Sequence, residues 1–321
     1  MRRLCTIAVG LALLAAPAAA AADPLSVPIP DSTAPGPAWP QLLPPMPVPN
    51  DVQPGPQRRC ADATLACIDD TISIMQRLRD QFGCDHRAVF DTTYLLLTDE
   101  FRKIMAAEPH FFQDNRYLIY EDTLFANYYF DTLSNWAAGR PVPEAWRIAL
   151  QAARSGDADG AQDMLLGINA HVQRDMPYVV ASLGMRMPDG SSRKPDHDAV
   201  NDILRRGYER IVSEIAARYD PLVRYSNAPE SPADNIGGLE AVKGWREGVW
   251  RNAERLMNAR TAAERQQVSE SIELNAATWA RAIVSFQNPP GYRAQRDAYC
   301  RSHLPAARAK RAGHRRVRRR A

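Results

Sequence analysis

What this chain of 321 residues lacks narrows its chemistry. No apolar run beyond the first two dozen residues is long enough to cross a bilayer, which excludes a helical membrane protein. There is no glycine-rich phosphate loop, no dinucleotide fingerprint, no Gly-x-Ser-x-Gly elbow and no His-Glu-x-x-His pair, so the common nucleotide, acyl-transfer and zinc-protease signatures are missing. Strands are missing too, because no segment alternates apolar and polar residues convincingly. Cysteine is scarce, five residues with no close Cys/His pattern, which argues against a structural zinc site.

Proline is abundant but unevenly placed. Twelve of the 25 prolines fall between Asp23 and Pro56. Proline lacks an N–H and fixes φ, so residues 23–58 read as an extended or disordered spacer. Trp39, Leu42, Leu43, Met46 and Val48 make it more apolar than an ordinary linker, and part of it could lie along the folded domain. Ahead of it, Met1-Arg2-Arg3, an apolar stretch from Leu4 to Leu14 and an alanine-rich end at Ala22 have the form of a signal peptide over residues 1–22. The expectation is a chain secreted or held in the cell envelope, cleaved near Ala22. The formal charge is +3, yet eight cationic residues lie from Arg308 onward. Without them and Arg2-Arg3 the rest carries about −7. Residues 305–321 therefore form a basic tail suited to anionic envelope polymers or lipid headgroups. It has no aromatic residue for base stacking, so specific nucleic-acid recognition is not expected.

Export would make an even cysteine count meaningful: Cys60, Cys67, Cys84 and Cys300 suggest two disulfides. Leu65, Ile68, Ile72, Met75, Leu78 and Phe82 repeat at helical spacing, placing a helix over about 63–82. Cys84 then lies about 25 Å from Cys67, beyond the roughly 7 Å that a disulfide spans. The pairing Cys60–Cys67 and Cys84–Cys300 follows. Further apolar stripes begin after Asp85, at Asn115, at Pro143, after Asp159, after Asp196, and around Val242 and Val268. Together they predict an all-α bundle of about eight helices filling a single domain over 59–304.

Within the stripe from Asp159 to Gly184, Asn169-Ala-His171-Val-Gln-Arg-Asp175-Met-Pro177 stands out. His171 and Asp175 share one helix face, and Pro177 removes the N–H that would bond the Gln173 carbonyl, so polar chemistry sits beside a helix irregularity. Glu121 is flanked by Tyr117, Leu118, Leu124 and Phe125, an apolar setting that demands a partner. One reading is a divalent-metal site for a hydrolase, with His171, Asp175 and Glu121 as ligands and His197 or Asp198 completing the set. The preferred reading is a buried polar network, His171 bonding Asp175 and facing Tyr120 or Tyr128, in a binding or envelope-associated protein. Asp196 is read as an N-cap, Asp198 as a charge favoured at a helix start, His197 as exposed or locally bonded, and His86 as serving its own turn.

These residues resemble a family, the domain of unknown function 5995. The likeness rests on Phe90-Asp-Thr-Thr-Tyr94-Leu-Leu-Leu-Thr98, on Tyr128-Tyr-Phe130 ahead of Trp136 and Trp146, on Gly167 to Pro177, and on Asp198-Ala-Val-Asn201. It spans about Cys84 to Tyr219. Ile168, Val172 and Met176 replace other apolar residues of the family pattern and leave its polar positions intact. The resemblance implies an exported actinobacterial helical domain with Asn169, His171 and Asp175 at its polar heart. It implies no activity.

Overall fold

The computed structural model describes residues 45–225 and 238–304; the signal-peptide reading, the first part of the proline-rich extension and the basic tail lie outside them. Among the described residues there are helices and no strand, only two isolated bridges, Gln57–Cys60 and Arg186–Ser192. The helices are α1 (Leu65–Phe82), α2 (Arg87–Ala107), α3 (Asn115–Ala137), α4 (Glu144–Ser155), α5 (Gly160–Ile168), α6 (Met176–Leu183), α7 (Lys194–Arg218), α8 (Gly238–Asn258), α9 (Ala262–Val284) and α10 (Tyr292–His303). A π-helical turn, Asn169–Asp175, joins α5 to α6 into one rod, so the expected long helix is present with its irregularity just ahead of Pro177. None of these helices is long and apolar enough to cross a membrane.

Local signals set the boundaries. Asp159 and Gln162 form a capping box at α5, and Thr261 and Glu264 form another at α9, each satisfying amides that the first turn leaves free. Asp114 caps α3 by accepting from the Tyr117 amide. Gly156 ends α4 in the left-handed conformation. The rod α5–π–α6 runs through the middle of the bundle. Its π turn packs against α3, α4, α8 and α9, while α2 lies against α1, α5 and α7. Gly167 allows the α2–α5 contact: a Cβ there would sit 2.2 Å from Phe90 Cγ.

The two disulfides are Cys60–Cys67 and Cys84–Cys300, as the spacing required. The second fixes α10 to the start of α2. α10 has no counterpart in the apolar periodicity of the sequence, because it presents only Tyr292, Arg296 and Cys300 to the interior rather than an aliphatic stripe. Residues 45–58 lie on the helices as a strap. Met46 N–H donates to Glu254 Oε1, Asn258 Nδ2 to the Pro47 carbonyl, Arg186 Nε to the Val48 carbonyl and Asn127 Nδ2 to the Arg58 carbonyl. Gly184 passes beneath it so closely that a Cβ would meet the Val52 carbonyl oxygen at 2.1 Å.

Candidate functional site

The π turn places Asn169, His171, Gln173 and Asp175 in the buried interior. Widening one turn to i→i+5 bonding rotates the side chains that follow it, and such turns recur at functional sites. Asp175 is fully enclosed. Its Oδ2 accepts from Trp146 Nε1 at 2.8 Å and lies 3.0 Å from His171 Nδ1, while Oδ1 accepts from Arg174 at 3.0 Å. Arg174 extends the network to Glu273 on α9 at 2.7 Å. A second polar chain runs from Asn275 through Gln173 to Asn169, whose amide donates to the Ala276 carbonyl. The π turn is thus tied to α4 and α9 by polar bonds that an apolar stripe could not supply.

His171 stacks flat on Phe125, with centroids 3.5 Å apart and planes 6° apart, and Tyr94 meets it edge-on at 4.7 Å. Burial among rings pushes the imidazole pKa down, with Asp175 opposing. The ring is therefore neutral, and the Asp175 carboxylate holds its proton on Nδ1, which leaves Nε2 a bare acceptor. That Nε2 is buried and has no hydrogen-bond partner among the described residues. Neither Tyr120 nor Tyr128 reaches it; the Tyr120 hydroxyl donates instead to the Ala61 carbonyl.

Beside this ring lies a cavity of about 210 Å³, walled by α2, α3, α5, the π turn, α7 and α8. Its walls are mostly aliphatic and aromatic, among them Phe101, Phe125, Met164, Ile168, Leu204 and Val242. Five of its lining residues nevertheless carry a buried polar atom with no hydrogen-bond partner among the described residues: Tyr94 Oη, Thr98 Oγ1, Glu121 Oε2, Asp122 Oδ2 and His171 Nε2. Burial raises the Glu121 pKa, and the nearby Tyr117 hydroxyl and Arg246 charge pull it back. The Tyr117 hydroxyl faces that carboxyl without closing a well-formed hydrogen bond. Asp122 is lifted to about 7 by burial and by the neighbouring Glu121 charge. Arg246 is buried as well, but it donates to Asn201 Oδ1 and to the His197 carbonyl, so it contributes charge more than free donors.

The residues weighed as metal ligands go to different tasks. His197 is buried rather than exposed, with Nε2 3.0 Å from the Arg246 carbonyl oxygen and its ring against Trp250. Asp198 pairs with Lys194, which also reaches Glu247. Asp196 lies within the first turn of α7 and accepts from the Gln113 and Asp114 amides, so it secures the approach to α3 rather than capping its own helix. Hence His171, Asp175, Glu121, His197 and Asp198 do not gather three ligand atoms at metal spacing. Among the described residues only Cys60, Asp62 and Cys67 do, and those two cysteines are joined in a disulfide. His86 does more than serve its turn: it is buried, with Nδ1 2.6 Å from Asp163 Oδ2 on α5.

Reading the sequence found His171, Asp175 and Glu121 but missed Asp122, Tyr94, Thr98 and Arg246. Tyr94 and Thr98 stand four residues apart on α2, one turn along the face that meets His171, and that spacing was the available signal. Comparison with known proteins adds kinship only. Residues 68–286 match a family of unknown function, DUF5995. No curated protein and no solved structure matches the chain.

Proposed function

We propose a function from the site itself, because the chain belongs to the DUF5995 family, whose function is unknown. In this reading the protein is a binding protein, and its internal cavity takes a small, mostly apolar molecule bearing one hydrogen-bonding head group. The observation that carries it is the set of five unpartnered polar atoms around one apolar cavity. Native interiors leave few such atoms, since each costs about 1–3 kcal/mol. An otherwise apolar pocket with a few convergent polar groups is the usual form of a ligand site. A cavity of roughly 150 Å³ takes a benzene ring, so about 210 Å³ suits a ring or short chain with a few further atoms. Three of the five atoms, on Glu121, Asp122 and His171, are acceptors whenever their groups are unprotonated, which favours a donor such as a hydroxyl.

The reading includes export, with the chain acting in the cell envelope or outside the cell. The N-terminal pattern and the two disulfides support it. Metal-assisted hydrolysis is the weaker account, because the ligands it requires are dispersed.

Toluene and p-cresol share an apolar body and differ by one hydroxyl. Thermal unfolding in the presence of each tests the reading. Both should raise the transition temperature, with p-cresol binding about tenfold tighter and losing that margin in His171→Phe. A ligand at about 100 times its Kd stabilises by about 2.7 kcal/mol, a readily measured shift. No shift with either compound would remove the basis for an internal ligand site.

A further inference from the structure

A second concave site lies apart from the cavity, where the start of α2, the end of α4 and one face of α10 meet in a cleft of about 450 Å³. We propose that this cleft binds a phosphate-type oxyanion, held by Arg154, Arg293 and Arg301 over His86.

The first observation is charge without partners. Arg293, Asp297 and Arg301 follow one another at four-residue steps, so they share a face of α10. Such spacing normally lets an aspartate neutralise its arginine neighbours. Here Asp297, which also lines the cleft, is engaged by other groups: its Oδ1 accepts from Arg296 at 3.2 Å and lies 3.5 Å from His86 Nε2. Arg293 and Arg301 are left without a hydrogen bond or ion pair among the described residues, and so is Arg154, facing them from the last turn of α4. The fourth cleft arginine, Arg87, is held by Asp85. The two carboxylates that line the cleft, Asp85 and Asp297, are taken up by Arg87 and Arg296, so three exposed guanidinium groups share it without an acceptor of their own, and a planar donor fork is well matched to phosphate oxygens.

The second observation lies beneath them. His86 lines the cleft and is 5 % exposed, and its Nε2 makes no hydrogen bond among the described residues. Buried Arg296, one turn before Cys300, likewise has Nε and one terminal nitrogen unpartnered. His86 thus brings one buried nitrogen without a hydrogen bond to the floor beneath the three free arginines, with the Asp297 carboxylate 3.5 Å from it. The floor is also rigid. Cys84–Cys300 ties α10 to α2, Arg296 donates to the Cys84 carbonyl at 2.7 Å, and the Arg293 guanidinium lies over Gly156, where a Cβ would come within 2.8 Å of Nε. The concavity fits one oxyanion group rather than an extended polymer. That group could be free phosphate or the phosphate of a lipid headgroup.

Isothermal titration of the oxidised full-length chain with inorganic phosphate tests this, alongside sedimentation with phosphatidylcholine vesicles containing phosphatidic acid. The variant carrying Arg154→Ala, Arg293→Ala and Arg301→Ala removes three exposed side chains and should leave the helical circular dichroism unchanged. A control carrying Arg77→Ala and Arg265→Ala lowers charge elsewhere on the surface. Phosphate binding that weakens at least tenfold in the triple variant and less than twofold in the control supports the site. Vesicle binding with the same pattern supports it with the lipid as source. Binding of neither, or equal loss in variant and control, overturns the proposal.

Discussion

Asp91 sits at the fifth position of α2, wholly buried, one residue after the Phe90 that packs on Gly167. Its Oδ1 accepts from the Tyr129 hydroxyl at 3.2 Å and its Oδ2 has no partner among the described residues. Burial raises its pKa to about 8 against the Tyr129 bond. In the unfolded chain the same carboxyl ionises near 3.8. Between those values the native state keeps a proton that the unfolded state has released, so stability must fall as pH rises, until the native carboxyl also ionises. Below pH 6.5 two groups act the other way: burial lowers the pKa of His171 and His197, and their native rings stay neutral while unfolded histidine takes up a proton. From pH 6.5 to 8.5 the carboxyls dominate, and the tail of the two histidine titrations restores less than about 1 kcal/mol in all. Across the first 1.5 units of that window Asp91 alone withdraws roughly 1.5 kcal/mol, and Asp122, with its pKa about 7, withdraws roughly 1 more. Urea unfolding at several pH values in this window, disulfides intact, should show the decline. Asp91→Asn keeps an acceptor for Tyr129 and cannot ionise, so its margin over the wild type should widen by roughly 2 kcal/mol between pH 6.5 and pH 8.5. Wild-type stability that is flat or rising over this window, or an Asp91→Asn slope equal to the wild type's, would refute the argument.

Asp175→Ala should destabilise by about 3–5 kcal/mol in urea titration, since it strands the Trp146 N–H and leaves Arg174 with one carboxylate partner in place of two, whereas Asp175→Asn should lose markedly less. Reducing Cys84–Cys300, which spans 216 residues, should lower stability by about 5 kcal/mol, and removing Cys60–Cys67, which spans 7, by only about 2–3 kcal/mol; paired cysteine-to-serine variants separate the two. Gly167→Ala forces a methyl into the Phe90 ring and should cost about 1–3 kcal/mol, with Phe90→Leu as a second substitution that restores part of the loss.

Most of the helices and both disulfides were legible because they follow from periodicity and length alone. The stripe through Ile168, Val172, Met176 and Val179 predicted the central rod, and simple reach decided the cysteine pairing. Glu121 was legible as a carboxylate in apolar company. Asp122 was not, because its chain neighbours gave no sign that α3 is covered on that side too. The π turn was only half legible: Pro177 announced an irregularity, but no side-chain pattern says that the ladder widens over Asn169–Asp175. The cavity could not be read at all, since it is a volume that packed helices leave unfilled. α10 escaped because its inward positions are Tyr292, Arg296 and Cys300, four residues apart yet hardly apolar, and His86 because a buried Asp163 seventy-seven residues away decides its fate.

The strap over residues 45–58 gives the prolines a use that an idle tether would not. A peptide laid across finished helices must find acceptors for its own amide hydrogens, and helices offer almost none along their sides. Proline has no such hydrogen. Residues 45–56 hold five of them, so the segment settles on the bundle chiefly as a row of carbonyls, and those are what Arg186 and Asn258 reach for. Cut away at Cys60, the bundle would present Glu254, Asn258 and Arg186 without these partners. The smallest faithful fragment of this protein therefore begins inside its proline-rich stretch, ahead of the first helix.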